Sequence, residues 1–380
     1  MPAKKPSAKI QRQTVVSGIQ PSGRLHVGNY VGAVRSWLKL QDDPKFRCLF
    51  FIADWHSMTV EYDQLEKRRQ IFDLAADLLA LGLDPKKITL FRQSDILEHA
   101  ELAWIFNTLT PMGYLERMTQ YKDKTRQWLI QRADNRPIDP DHAKLAVNNL
   151  ERQIANAGLF TYPVLMAADI LIYKAAFVPV GVDQVQHVEL TRDVAGFFNN
   201  RFGQTFPETK PLLTDTPKVR SLSEPTRKMS KSHGDRSCLY LTETFDEMYD
   251  KVKRVPTEPT GILSMDERAV EEGVSALADK EPDEKLKGMA GVWNLLQLIR
   301  IFGSEKEFDR LIAGQPLKYG ELKRLVATRV AEHFSDFRAK RAKLEKQPGR
   351  VWSVLDDGAK KARAEARKTM KEVRQKIGLK

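Results

Sequence analysis

Residues 15–33 read VVSGIQPSGRLHVGNYVGA: a short apolar run, a glycine-rich loop and the opening turns of a helix. Val15 and Val16 suit a pleated, buried strand, while Gly18, Gly23 and Gly28 let the backbone turn sharply and come close to a ligand. The helix that follows points its N-terminus back at the loop. Its free N–H groups and positive dipole end attract an anion, and His26 and Asn29, three residues apart, can both face it. A strand, a glycine loop and a helix N-terminus in that order suit the phosphates of a nucleotide.

A second stretch, far downstream, adds cations. Residues 227–235 read RKMSKSHGD, and Lys228 and Lys231 are spaced to point at one polyanion. Lysine is a flexible point charge, which suits a pyrophosphate that forms and leaves. With HVGN and KMSKS together, the chain resembles the class I aminoacyl-tRNA synthetases, whose two signature motifs these match. Asn29 departs from the commoner HxGH, but asparagine is frequent there in tryptophanyl-tRNA synthetases, which narrows the resemblance. It implies His26, Asn29, Lys228 and Lys231 as the catalytic set. Gln20, Pro21, Ser22, Gly28, Met229, Ser230 and Ser232 are their implied neighbours on ATP.

The chain has 380 residues, 42% hydrophobic and 29% charged, enough for one large core and for a second domain. No apolar run reaches the roughly 18 residues of a membrane helix, and residues 1–13 read as a disordered basic tail rather than a secretory signal. We expect a cytoplasmic protein with no membrane segment. Two cysteines far apart, Cys48 and Cys238, exclude a disulfide framework or a zinc knuckle. The net charge is +12, and residues 323–380 alone hold 18 Lys or Arg against 7 Asp or Glu. A mixed run is normally a solvated face, but an excess this one-sided points to a phosphate backbone.

Along the chain, residues 48–53 form an apolar run that suits a central parallel strand, ending at Asp54 and His56, where open α/β sheets bind ligands. A lone histidine there is usually structural; in the family, ADxHxxT borders the amino-acid pocket. Residues 63–81 have helical periodicity, 88–92 read as the next strand, and 101–128 as helical. The alternation argues for a doubly wound, Rossmann-like α/β domain. MTQYKDKT resembles a family segment that sets a lysine near the ATP phosphates, with Lys122 and Lys124 both candidates. Residues 125–154 exceed the compact tryptophanyl pattern and read as an insertion.

Residues 162–192 carry the densest match, YPVLMAADILIYKAAFVPVGVDQVQHVELTR. Met166, Asp169 and Tyr173 share a helical face, so a carboxylate stands among apolar groups and needs a partner. By resemblance, Asp169 accepts the indole N–H of tryptophan, an acceptor-only group meeting a donor-only one. Gly18, His56, Met166, Val178, Val180 and Gln184 complete that pocket, while Gly181, Val182, Asp183 and Val219 meet the adenosine.

From Phe245 the periodicity is helical, and we expect an all-helical tRNA- and anticodon-binding domain over 241–380 behind a catalytic domain over 14–240. The resemblance implies ATP-dependent attachment of L-tryptophan to tRNA(Trp) through an adenylate, with Mg2+ held mainly by the ATP phosphates and no metal site on the chain itself, in a homodimer. A tyrosyl enzyme is the nearer alternative, and a class I-like nucleotidylyltransferase or RNA-binding paralogue the more distant one. MAAD and VPVGxDQ favour tryptophan.

Overall fold

A computed structural model describes residues 12–118, 156–181, 184–213, 217–279, 289–313 and 316–379. Five parallel strands form the central sheet: β1 (Gln13–Ile19), β2 (Phe46–Ile52), β3 (Thr89–Arg92), β4 (Phe177–Val180) and β5 (Lys210–Leu213), in the order β3-β2-β1-β4-β5. β1 and β2 run in register from Gln13 opposite Phe46 to Ile19 opposite Ile52. Val15, Val16, Leu49, Phe50 and Ile52 are buried on both faces, as central parallel strands must be. The strand order reverses direction between β1 and β4, so the crevice beyond their carboxyl ends is the natural ligand site.

The connections are α1 (Val27–Asn29), α2 (Arg35–Asp42), α3 (Gln64–Ala80), α4 (Glu98–Asn107), α5 (Met112–Glu116), α6 (Ala157–Leu171) and α7 (Val185–Phe202). α1 and α2 are joined without a break by one π-helical stretch, Tyr30–Val34. Asp63 caps α3 by accepting from Glu66 N at 2.9 Å. The stretch expected to be helical over 101–128 is, in its described part up to residue 118, two helices: α4 ends at Asn107, and Pro111, which cannot donate within a helix, stands at the N-cap position of the short α5.

The remaining elements are α8 (Phe245–Val252), α9 (Glu267–Asp279), α10 (Ala290–Phe302), α11 (Glu305–Ala313), α12 (Tyr319–His333), α13 (Ser335–Glu345) and α14 (Pro348–Lys376). A two-residue antiparallel pair, Ile262–Leu263 with Leu317–Lys318, interrupts the helices. Too short to show a strand period, it left no signal in the sequence.

α14 does not stand apart with the other helices. It lies along the edge strand β3 and across α3 and α4, burying a stripe of small residues, among them Gly358, Ala359, Ala362 and Ala366. Gly358 sits so close to β3 that a Cβ there would be 1.8 Å from the Leu90 carbonyl oxygen. Backbone cannot move aside as a flexible side chain can. Gly358→Ala is therefore expected to cost about 1–3 kcal/mol of stability, read from the denaturant midpoint. Gly349→Ala, which meets nothing within 4 Å, is the control that should stay near the parent.

Candidate active site

The loop after β1 and the downstream lysine segment meet. Val27 N donates to Leu239 O at 2.9 Å and Leu241 N to Leu25 O at 3.0 Å, tying the first motif to the chain that follows the second. Lys231 Nζ donates to Ser22 O at 3.0 Å across the loop. A Cβ on Gly28 would lie 3.5 Å from Met229 Cβ, so the two motifs pack directly. The glycines permit this approach: Gly23 holds φ at +93°, where other residues are strained.

His26 and Asn29 cap the helix reciprocally. Asn29 N donates to His26 Nδ1 at 3.3 Å, and His26 N donates to Asn29 Oδ1 at 3.2 Å. With Nδ1 accepting, a neutral imidazole carries its proton on Nε2, leaving that N–H for a phosphate oxygen. Burial, aided by Lys231 and Lys228, pushes the His26 pKa down to about 3, so the ring is neutral at physiological pH. Burial likewise pushes Lys231 down to about 8. The geometry offers hydrogen-bond donors and ammonium charge, and the described members of this set include no carboxylate.

The lysine segment is held as a hairpin. Met229 N donates to Val219 O at 3.0 Å and Ser221 N to Arg227 O at 2.9 Å, which sets Val219 beside Met229. The hairpin is clipped to the helical region: Asn294 of α10 exchanges hydrogen bonds with the Arg220 backbone at 3.0 and 3.1 Å, and the Arg220 guanidinium donates to Leu277 O of α9. Ser230 caps a 3-10 turn over Lys231–His233 and lies 2.8 Å from the Ser232 hydroxyl.

On the other side of the sheet switch point, Asp169 of α6 is completely enclosed. His56 Nε2 donates to Oδ2 at 2.7 Å, His99 Nδ1 to Oδ1 at 2.6 Å, and the Gln93 amide to both oxygens at 2.8 and 2.9 Å. Burial by itself would raise the carboxyl, but hydrogen bonds from His56 and His99 hold it below the ordinary carboxylate range. His99 continues to Tyr173, whose hydroxyl lies 2.7 Å from Nε2. Burial and the Asp169 charge keep that phenol protonated, well above its ordinary range. Gln93 Oε1 is buried without a partner among the described residues, an arrangement worth about 1–3 kcal/mol of penalty.

Of the residues expected from sequence, Gln20, Pro21, Ser22, His26, Gly28, Asn29, Val219, Lys228, Met229, Ser230, Lys231 and Ser232 converge on the first cluster. Gly18, at the end of β1, lies against the Phe51 ring, which a Cβ would approach to 2.5 Å. Val178 and Val180 are buried in β4, and Gln184 N closes onto Gly181 O at 3.0 Å before α7. Met166 is half-buried on α6, among the residues that precede Asp169. Val182, Asp183, Lys122, Lys124 and the 125–154 insertion lie outside the described residues. Gln93 and His99 were not anticipated, although Gln93 follows β3 as Asp54 follows β2, at the sheet edge where ligands gather.

A parallel sheet with a glycine loop, an HVGN helix and a KMSKS hairpin meeting at its switch point defines a class I synthetase. The chain belongs to the family described as tRNA synthetases class I (W and Y), which matches residues 9–334. It is 39% identical over 370 residues to the tryptophan–tRNA ligase of Caldanaerobacter subterraneus subsp. tengcongensis, covering 96% of this chain and 98% of that one. It is 38% identical to that of Wolinella succinogenes, covering 97% and 99%. Among solved structures, the Campylobacter jejuni tryptophanyl-tRNA synthetase complexed with ADP and tryptophan superposes with a TM-score of 0.74 at 30% identity, covering 96% of this chain and 100% of that one.

Proposed function

We propose that this protein attaches L-tryptophan to tRNA(Trp) at the expense of ATP. The tryptophan carboxylate attacks the α-phosphate in line, giving tryptophanyl-adenylate and pyrophosphate, and the acyl group then passes to the terminal ribose of tRNA. A carboxylate is already nucleophilic, so the chain's task is to position the reactants and to neutralise charge on the departing pyrophosphate. Lys228, Lys231, Asn29 and the His26 Nε2–H perform it. The observation that carries this reading is the bond from Lys231 to the Ser22 carbonyl, which brings both motifs to one place. Imidazole, amide and ammonium groups suit phosphate rather than a hard cation, so Mg2+ arrives bound to the triphosphate. The chain's own residues bind and orient that complex.

Asp169 anchors the indole among Gly18, Met166, Val178 and Val180, with His56 bordering the pocket, and Gln184 holds the substrate backbone. Val182 and Asp183 with Gly181 take the adenosine, and one of Lys122 and Lys124 adds to the phosphate site. Residues 14–240 form the catalytic unit and 241–380 the tRNA- and anticodon-binding unit. Part of the basic excess is spent internally: Arg374 pairs with Glu101, and Arg367 with Glu98 at 3.2 Å, fastening α14 to α4. The exposed Lys361, Lys368 and Lys371 of α14 remain for the tRNA backbone. A second copy covers the apolar face formed by Leu97 and Trp104, seven residues apart and 66% and 71% exposed, completing a homodimer. No helix among the described residues is long and apolar enough to cross a membrane, and we place the enzyme in the cytoplasm with its tRNA. Tryptophan-dependent exchange of pyrophosphate into ATP tests the reading. Exchange driven by tryptophan but not tyrosine is expected; exchange with tyrosine alone, or none, overturns it.

A further inference from the structure

The Asp169 carboxylate is surrounded more completely than a substrate acceptor requires. An ionised carboxylate only accepts, so the short contacts from His99 and His56 are N–H donations. His99 Nδ1 carries its proton toward Asp169, and its Nε2 then accepts from the Tyr173 hydroxyl. Gln93 straddles both oxygens with its amino group and leaves its own oxygen enclosed and unpaired among the described residues, so the side chain is held for its donor end rather than for packing. The contacts use the lone pairs on both oxygens. His56, 7% exposed, is less enclosed than Gln93 and His99, which are fully buried.

We propose that His99 and Tyr173 are positioning residues for tryptophan selection: Tyr173 O–H fixes the His99 tautomer, His99 Nδ1–H with Gln93 locks the Asp169 carboxylate in place and ionised, and the indole N–H takes over the lone pair that His56 occupies. This rests on Asp169 being the indole acceptor. Neither His99 nor Tyr173 touches substrate; they act through Asp169. A carboxylate free to rotate would present its lone pairs to many ligand shapes, and one clamped from behind accepts a donor from a single direction. The arrangement selects for an N–H at one place in the bicyclic ring.

The test compares tryptophan with its benzothiophene analogue, in which sulfur replaces the indole N–H, by the ratio of kcat/KM in pyrophosphate exchange. The parent should favour tryptophan by about 10–1000-fold, the range a lost charged hydrogen bond gives. Asp169→Ala should collapse the ratio; a retained ratio overturns the indole-acceptor reading beneath the proposal. With that ratio collapsed, His99→Leu and Tyr173→Phe should each lower the parental ratio, His99→Leu by about 10-fold or more. The loss should fall mainly in the KM for tryptophan. His99→Asn, whose amide reproduces the Nδ1–H donor, should recover most of it. A purely structural role would slow both ligands equally, so an unchanged ratio in His99→Leu and Tyr173→Phe overturns the proposal. Should His99→Leu fail to fold, Tyr173→Phe decides alone, since it deletes one hydroxyl and keeps the ring.

Discussion

Lys231→Ala is expected to lower the rate of tryptophanyl-adenylate formation by about 100-fold or more, the cost of removing one preorganised donor to developing charge. Tryptophan affinity should barely change, because Lys231 lies against Ser22 and His26 and makes no contact with Asp169 among the described residues. Single-turnover activation measures the rate directly, and an unaltered value would remove Lys231 from the chemistry. The pH dependence gives a second reading. Burial holds the Lys231 ammonium of the free protein at about 8, well below an ordinary lysine. The active form is the charged one, present below that pKa. The kcat/KM for ATP in exchange should therefore decline as pH rises through 8, and in Lys231→Ala that decline should vanish. The sign matters: a group that worked as a base would produce the opposite slope.

Arg341→Met is expected to destabilise the fold by about 3–5 kcal/mol, the cost of leaving the buried Asp77 carboxylate without its partner. Arg341 of α13 reaches into α3, where Nε donates to Asp77 Oδ1 at 2.7 Å and Nη2 to Asp73 Oδ1 at 2.5 Å, and it also pairs with Glu345 at 2.7 Å. Burial pushes the Asp77 carboxyl up to about 6 in spite of the guanidinium. A raised carboxyl pKa favours the folded state at pH values below the unfolded pKa, and that contribution is lost as pH rises through 6. Without Arg341 the carboxyl should rise further, so the deficit of the variant should shrink when unfolding is measured at pH 5 instead of pH 7. A loss below about 1 kcal/mol at pH 7, in the range of an exposed pair, would mean that water reaches the cluster.

The catalytic sheet and its phosphate loop were legible because each rests on a local signal. Residues 48–52 of β2 are apolar on both faces, Gln64–Ala80 has helical periodicity after a capping Asp63, and Gly23 and Gly28 sit where backbone must turn or approach. Other features depend on residues distant in sequence and left no such trace. His99 lies on a helix whose pattern accounts for it as an ordinary buried residue, and nothing nearby announces Asp169, 70 residues on. Asn294 similarly reads as one polar position in an apolar helix; only the fold brings it to the Arg220 backbone. The arginines of α14 read as a surface for phosphate, yet Arg363 donates to the Asp95 carbonyl and Arg374 pairs with Glu101. Charge counts report an excess and not where its partners lie.

The docking of α14 on β3 bears on the order in which the protein assembles during synthesis. β3 is an edge strand, and Arg363 and the Asp95 carbonyl it contacts are 268 residues apart. At a ribosomal rate of about 5–20 residues per second, β1, β2 and β3 leave the tunnel many seconds before the helix that flanks them exists. During that interval the nascent chain exposes an apolar strand edge and the groove that Gly358 later fills, the kind of surface that recruits chaperones or pairs with a neighbouring chain on the same message.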